Sequence, residues 1–588
     1  MYDESISPSS DSRWAAILGP ILILLCAVFY YGSYLRFYFN PHDEGGTAAL
    51  IASRMLAGEI PYQDVELSYN VGWFWPIVGL FKITGVNFIA MRVFFFALSV
   101  LCALWGWAVV RKVTRREWLA LLVGLALVIF PGSQFKNYIP MLCVANTLAL
   151  VTAALGSGSS AAGFWRRIAL GGILVGISSL IRVDLGYFFA VIWLGLIFLR
   201  IFDRRTPPDF GRLIDGIAGA AILLAGALLV IGPAALAARS GGYGDDFAAQ
   251  YSNMVRTISG RTGSTASTGE AVAAEKPKTK GAAKVDRTEL RRVSWETFVS
   301  FKDEDKWVLF ILTYLPVVIF ALLVTWAALR TLGAILFGTF TIDHPGMLGL
   351  LLLGGSLTTF PQFFFFRPDR PHLSEFMPGF IVATISVFFL LKSGWRWLVG
   401  GLLAVQFGFF AWFAFDHYSA GTIAARWKIK ENKRKWFEGA NGVRVLVHTK
   451  DRDELEAVRK AVVDNSKPGE WLICYPYQPG FNLMTDRPTY ERELYQDNST
   501  AGRTRDWSAK TIARMEDKRP AVVVIDEREI NQVAASRFSK WAPEVYDYLR
   551  TKYELCAQVD TIEIYRRKIE GANAIAVPVP VSDTPPAQ

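Results

Sequence analysis

Long apolar blocks recur along most of this chain and constrain its fold more than any other feature. Between residues 14 and 415 there are about eleven of them, each roughly 17 to 25 residues long, the length that crosses a hydrocarbon layer as a helix. A soluble chain of 588 residues would carry a larger charged surface, whereas here 52% of the residues are hydrophobic and 19% are charged. We therefore predict a polytopic α-helical membrane protein. The predicted spans are 14–36, 88–110, 117–132, 139–156, 167–181, 184–202, 215–237, 307–329, 346–364, 373–391 and 395–415.

Lys and Arg are concentrated in every second connection between these spans, at residues 111–116, 166–167, 200–212 and 392–396. Because short cytoplasmic loops are enriched in positive charge, we predict that these connections and residues 1–13 lie in the cytoplasm of a multi-pass cell (inner) membrane protein. The first block is too long for a signal peptide and has no small-residue cleavage pattern, so we expect an uncleaved helix. The net charge of +10 comes without a nucleic-acid-binding motif, which favours anionic lipid as its partner.

The connection at residues 37–87 is predicted to lie outside the cytoplasm and to contain a helix along the membrane surface. Small and apolar residues recur there at spacings of three and four over residues 48–55, and Gly58 follows as a helix stop. A second outer loop, 238–306, includes a low-complexity part at 261–287 that we expect to be disordered.

The C-terminal region, residues 416–568, is predicted to be a non-cytoplasmic α/β domain with a loose tail at 569–588. Its basic stretch at 426–435 could lie against anionic headgroups, and Cys474 and Cys556 could pair in an oxidising compartment, although their spacing does not require it. Beyond that stretch, helix and strand patterns alternate. The predicted helices are 454–463, 508–516 and 543–553, and the predicted strands are 471–475, 521–526 and 562–565.

Charged residues also gather at the span ends on the predicted outer side, and the cations among them run against the positive-inside trend. A charge costs roughly 3 kcal/mol at mid-membrane and less near the interface. These charged residues come from four separate connections, so we expect them to meet at one depth. The four groups are His42-Asp43-Glu44, Gln134-Phe135-Lys136-Asn137, Arg182-Val183-Asp184 and Arg367-Pro368-Asp369-Arg370-Pro371-His372.

This combination is suited to group transfer from a phosphate. Cations absorb the charge that develops on a leaving phosphate, and a carboxylate accepts the proton of an attacking hydroxyl. Glu44 could instead hold a divalent ion through its oxygens. Structural explanations also exist: helix-start acids for Asp43 and Glu44, a salt pair for Arg182 and Asp184, and an interfacial anchor for Lys136.

Other motifs are not informative about function. No metal-ligand spacing, Walker motif, nucleophile elbow or dinucleotide fingerprint occurs in the sequence. The glycine pairs at 171–172 and 354–355 are more typical of close helix packing than of phosphate binding.

The first outer loop resembles that of the GT-C superfamily of polyprenyl-phosphate-sugar-dependent glycosyltransferases. It is similar to the branch with the aminoarabinose transferases, the protein O-mannosyltransferases (glycosyltransferase family 39 type) and the enzymes that decorate lipopolysaccharide core. In that branch an acidic residue follows the first span, then a surface helix, then a Gly and a Tyr-x-Asp step. The matching residues here are His42-Asp43-Glu44-Gly45, Leu56-Ala57-Gly58 and Pro61-Tyr62-Gln63-Asp64. The resemblance is clearest over residues 14–200.

The resemblance implies roles for the charged residues. Asp43 would be the general base of an inverting transfer, with Glu44 assisting it or helping to hold a metal. The donor would be a polyprenyl-phosphate sugar, and the acceptor a lipid, glycan or protein of the cell envelope or cell wall. Candidates for binding the substrate, by topology more than by motif, are Lys136, Arg182, Asp184, Arg367, Asp369, Arg370 and His372.

A transporter or flippase of a lipid-linked precursor is the alternative function. It would also need outward cations and a lipid-facing groove. However, a flippase needs polar residues along its transit path or two related halves, and the spans here carry almost no charge at mid-membrane. The transferase is therefore the favoured hypothesis.

Overall fold

Helices dominate the described part of the chain. The computed structural model describes residues 10–37, 39, 41, 43–67, 69–129, 136–156, 161–205, 211–258, 303–361, 364, 370–391, 393–417, 433–496, 506–529 and 536–568. The helices of the first part are α1 (Ser10–Tyr34), a π-helix (Asp43–Leu50), α2 (Ile51–Leu56), α3 (Val71–Thr84), α4 (Phe88–Thr114), α5 (Glu117–Ile129), α6 (Tyr138–Leu155), α7 (Ala161–Ile181), α8 (Val183–Leu199), α9 (Gly211–Ser240), α10 (Gly244–Ile258), α11 (Asp303–Leu336), α12 (Pro345–Leu357), α13 (Arg370–Leu390) and α14 (Ser393–His417).

The predicted fold class is confirmed, because each of the eleven predicted spans falls on one of these helices. In the described residues, seven helices are long and apolar enough to cross a membrane, and shorter apolar helices accompany them. Backbone groups have no water to bind in hydrocarbon, so an apolar block is stable there only as a helix with internal hydrogen bonds. The chain is a multi-pass membrane protein.

Small residues allow close approach between helices, as the glycine pairs predict. A Cβ on Gly172 would lie 2.2 Å from the carbonyl oxygen of Leu223, so α7 and α9 are in backbone contact. In lipid, burying apolar side chains supplies little driving force for the association of helices, so close packing of this kind supplies it instead.

The first outer loop contains a helix at the predicted place, built from the π-helix and α2; that it lies along the membrane surface stays a prediction. Ala48, Ile51 and Ala52 are fully buried. The helix ends where predicted: Gly58 has φ +98°, and the Glu59 N–H donates to the carbonyl oxygen of Arg54 at 3.1 Å. This is a Schellman ending, whose left-handed position favours glycine.

Two further helices of the outer loops were not predicted. The first, α3, is apolar but has 14 residues, too few to span a bilayer as a straight helix. The second, α10, begins with Asp245 and Asp246 in its first turn. The segment 261–287, predicted to be disordered, lies outside the described residues.

Beyond α14 the elements are β1 (Arg434–Glu438), β2 (Arg444–His448), α15 (Thr449–Asp464), β3 (Leu472–Tyr475), α16 (Gly480–Thr485), α17 (Trp507–Lys518), β4 (Val522–Asp526), α18 (Phe538–Trp541), α19 (Pro543–Lys552), β5 (Tyr553–Val559) and β6 (Ile562–Arg567). All six predicted segments are present, which confirms an α/β composition. Strands β1, β2 and β5 and the short helices α16 and α18 were not predicted. Of the basic stretch, Arg434 and Lys435 lie in β1, and residues 426–432 are outside the described part.

The chain divides into two compact units. The first contains Met1–Glu456 together with Gln478–Asp486 and Glu491–Leu494, so two pieces of the C-terminal half belong with the spans. Within it, β1 and β2 form an antiparallel pair.

The second unit contains a four-stranded sheet in the order β3-β4-β6-β5, with β3 and β4 parallel. Val523, Ile525, Val545 and Leu549 are completely buried in its core. Cys474 lies on one edge strand and Cys556 on the other, about 14 Å apart at the usual strand spacing. That distance excludes a disulfide between them, and both are free thiols.

Candidate active site

Four charged side chains meet where several helices of the first unit begin or end. The Lys136 Nζ lies 3.0 Å from Glu375 Oε1, and the Arg182 Nη1 lies 3.3 Å from Glu375 Oε2. Arg182 also forms a two-pronged pair with Asp184, its Nε and Nη2 donating to the two carboxylate oxygens at 2.7 and 2.8 Å. We call these four residues the charged cluster.

Local backbone structure brings the cluster together. Lys136 lies two residues before the start of α6, and Glu375 lies in the second turn of α13. Arg182 is the single extended residue between α7 and α8, with φ −154° and ψ 115°, and Asp184 follows in the first turn of α8. A one-residue break between two apolar helices therefore places both members of the Arg182–Asp184 pair at the same end of the bundle.

The cluster is largely removed from solvent. The exposed fractions of the side chains are 9% for Lys136, 3% for Glu375, 14% for Arg182 and 20% for Asp184. Buried charges of this kind persist when they are paired and hydrogen-bonded. Two cations and two carboxylates balance, so the cluster as it stands has no net charge when all four are ionised.

Sequence reasoning missed Glu375. It falls inside an apolar span, and its cationic partners are remote in sequence. The available signal was its position: a carboxylate inside an apolar span is costly in a membrane unless it has a partner.

Aromatic residues pack beside the cluster. The side-chain amide of Asn137, next to Lys136, donates to the carbonyl oxygen of Phe95 at 3.3 Å. The rings of Trp73 and Tyr138 lie 5.4 Å apart, and the ring of Tyr69 stacks on Trp73 at 5.0 Å. Because α4 carries Phe95, these contacts fix the start of α6 against the start of α4.

A second buried ion pair holds the π-helix to α4. Glu44 Oε2 lies 2.5 Å from Arg92 Nη2, with exposed fractions of 9% and 1% for the two side chains. Arg92 Nη1 also donates to the carbonyl oxygens of Phe37 and Leu35, at 2.8 and 3.2 Å. The guanidinium thus joins the end of α1, the π-helix and the start of α4. Arg92 was not among the predicted site residues.

The two ion-pair groups lie at the opposite end of the bundle from the basic connections. Arg92 is in the first turns of α4 and Arg111 is near its end, so about 28 Å of helix separates them. Members of three of the four charged groups that were predicted to meet therefore lie at this end: Glu44, Lys136, and Arg182 with Asp184. That this end faces away from the cytoplasm stays a prediction.

The remaining predicted residues are described only partly. Asp43 begins the π-helix next to Glu44, and Arg370 and His372 lie in the first turn of α13, ahead of Glu375; of these three, only the backbone is described. His42, Gln134, Phe135, Arg367 and Asp369 lie outside the described residues.

The carboxylate of Glu44 is engaged by the guanidinium of Arg92 through Oε2. That Glu44 helps to hold a metal ion stays a prediction. Among the described residues, no group of three or more His, Cys, Asp or Glu side chains is arranged to hold a metal ion.

Comparison with solved structures gives a likeness over nearly the whole chain. The chain is similar to the crystal structure of ArnT from Cupriavidus metallidurans in the apo state, with 13% identity and a TM-score of 0.49, covering 95% of this chain and 98% of that one. It is also similar to ArnT from Cupriavidus metallidurans bound to undecaprenyl phosphate, with 13% identity and a TM-score of 0.47, covering 96% and 100%. No protein-family model and no curated protein sequence matches the chain.

Proposed function

We propose that this protein is a membrane glycosyltransferase that moves a sugar from a polyprenyl-phosphate-linked donor to a lipid, glycan or protein acceptor on the non-cytoplasmic face. The charged cluster is the observation that carries the proposal. Lys136 and Arg182 are two cations held at the end of an apolar bundle. A lipid phosphate that leaves from the interface needs positive charge of this kind, already oriented before the reaction.

Charge balance indicates how the donor would bind. The four members of the cluster sum to zero, and the phosphodiester of the donor brings one further negative charge. An unpaired charge in a buried site costs several kcal/mol, so a third cation is needed when the donor is present. Arg367 and Arg370, close before Glu375 in the sequence, are the proposed source of it, and Asp369 and His372 are proposed to help bind the same donor.

Asp43 is the proposed general base. The acceptor hydroxyl attacks the anomeric carbon of the donor as Asp43 takes the hydroxyl proton. The bond between that carbon and the phosphate oxygen breaks, its electron pair leaves with polyprenyl phosphate, and the anomeric configuration inverts. The pairing of Glu44 with Arg92 supports this role, because it fixes the backbone next to Asp43 against α4.

The test measures polyprenyl phosphate, which is released whatever sugar is carried. Membranes with the wild-type protein should release it and gain a sugar-sized mass on one envelope lipid, glycan or protein, detected by mass spectrometry. Asp43→Asn should lose about 100-fold or more of this turnover, the usual contribution of a general base. Asp517→Asn, at an exposed position in the second unit, is the matched control and should be unaffected.

Two results would contradict the proposal. Turnover of Asp43→Asn close to that of the control would remove Asp43 from the role of base. Movement of a lipid-linked sugar across the membrane without release of polyprenyl phosphate would support a transporter instead.

A further inference from the structure

A short piece of the C-terminal half lies directly on the loop that carries Asp43. Helix α16 packs against the π-helix, and both belong to the first compact unit. The backbone N–H of Gly480 donates to the carbonyl oxygen of Pro41 at 2.8 Å. The loop is thus contacted by Arg92 of α4 and by α16.

The approach of α16 is close enough to require glycine. A Cβ on Gly480 would lie 2.4 Å from the carbonyl oxygen of Pro41, and a Cβ on Gly46 would lie 2.3 Å from Cγ of Pro479. The contact at Pro41 is with backbone, which cannot rotate away as a flexible side chain can. The distance between α16 and the loop is therefore set by the absence of side chains at Gly46 and Gly480.

A buried arginine makes a second, independent connection. Arg54 of α2 is 6% exposed, and its Nη1 donates to the carbonyl oxygen of Glu491 at 2.6 Å. Its Nη2 donates to the carbonyl oxygen of Asp64 at 3.1 Å, and its Nε donates to Glu59 at 2.7 Å. One guanidinium therefore connects the end of α2, the rest of the outer loop and the C-terminal residues 491–494.

We infer that residues 478–486 and 491–494 are a positioning element for the reaction, which holds the Asp43 loop in place through Gly480, Gly46 and Arg54. This inference rests on the proposed function. A general base works only within hydrogen-bonding distance of its proton, and a misplacement of about 1 Å lowers the rate by about 100-fold. The C-terminal element acts through Asp43 and does not contact the reacting atoms.

The main test compares Gly480→Ala with Gly401→Ala. Gly401 lies in α14 with no heavy atom within 4 Å of a Cβ placed there, so the second variant makes the same chemical change without a clash. For Gly480→Ala we expect amide hydrogen exchange over residues 43–50 to rise by about tenfold or more while α4 is unchanged. We expect kcat to fall about 100-fold and the donor KM to change little, because Lys136 and Arg182 are untouched.

Arg54→Lys is a second variant that keeps the charge and loses the fork-shaped guanidinium. It should raise amide hydrogen exchange over residues 43–50 and lower kcat, as Gly480→Ala does, but by smaller factors. The inference is wrong if exchange over 43–50 is the same in Gly480→Ala and Gly401→Ala, or if Gly480→Ala raises the donor KM and leaves kcat unchanged. If Gly480→Ala speeds amide hydrogen exchange over residues 43–50 but the wild-type protein transfers no sugar, the C-terminal element does hold the loop and the proposed function is wrong.

Discussion

Neutralising Glu375 should have opposite effects on stability and on ligand binding. In the wild-type protein its carboxylate contacts Lys136 at 3.0 Å and Arg182 at 3.3 Å. At an effective dielectric constant of about 20, each contact contributes roughly 5 kcal/mol of attraction before desolvation. Desolvation offsets much of this, and Glu375→Gln should lower the free energy of unfolding by about 3–5 kcal/mol, since it leaves buried positive charge uncompensated.

The affinity for polyprenyl phosphate should change in the other direction. The substitution removes a negative charge that would lie about 6–8 Å from a phosphate bound to Lys136 and Arg182, which relieves roughly 2–3 kcal/mol of repulsion. After relaxation of the site, we expect affinity to rise about tenfold, or about 1.4 kcal/mol. The assay is chemical denaturation of the purified protein in detergent, with and without excess polyprenyl phosphate, because a ligand in excess stabilises the folded state in proportion to the logarithm of its affinity.

The control is Glu117→Gln, which removes a carboxylate from the Arg111 pair at the opposite end of the bundle. Affinity for polyprenyl phosphate should be unchanged in this variant. The reasoning is refuted if Glu375→Gln folds normally and binds polyprenyl phosphate with unchanged or weaker affinity. That result would mean that the phosphate binds elsewhere and that the cluster is structural.

Two further predictions concern the first outer loop. A double-mutant cycle with Glu44→Gln and Arg92→Met, measured by free energy of unfolding, should give a coupling energy of about 3 kcal/mol or more. The control is the exposed Arg444–Glu438 pair, whose coupling energy should be less than about 1 kcal/mol. Equal coupling energies for the two pairs would contradict the anchoring role of Arg92. Gly58→Ala should lower the free energy of unfolding by about 1 kcal/mol, because Gly58 has φ +98° and a Cβ is disfavoured in that left-handed region. An unchanged value would show that the left-handed helix ending adds no measurable stability.

The spans were predictable because their signal is local. An apolar block of sufficient length must form a helix in hydrocarbon, whatever the rest of the chain does. The same reasoning failed for α3, which is mostly apolar and contains Pro76 but has only 14 residues, too few to span. It also failed for β5, which follows α19 directly at Tyr553 without the turn residues that normally mark a change of element.

The candidate site was predictable in part. The charges of Lys136, Arg182 and Asp184 stand out because they lie at the ends of apolar blocks. The partners Glu375 and Arg92 lie inside such blocks, and their pairing depends on contacts that no local pattern shows. The contribution of Gly480 is harder still to predict, because it depends on a missing side chain more than four hundred residues from Pro41.

The order of synthesis has a consequence for when the protein becomes active. Arg54 and Glu491 are 437 residues apart, and at about 5–20 residues per second the ribosome takes roughly 20–90 s to make the chain between them. During that interval the spans can enter the bilayer while the early loop still lacks one of its two supports. A nascent chain that stops before residue 478 should therefore insert normally and have very little of the proposed transferase activity, which should appear only after residues 478–494 have been made.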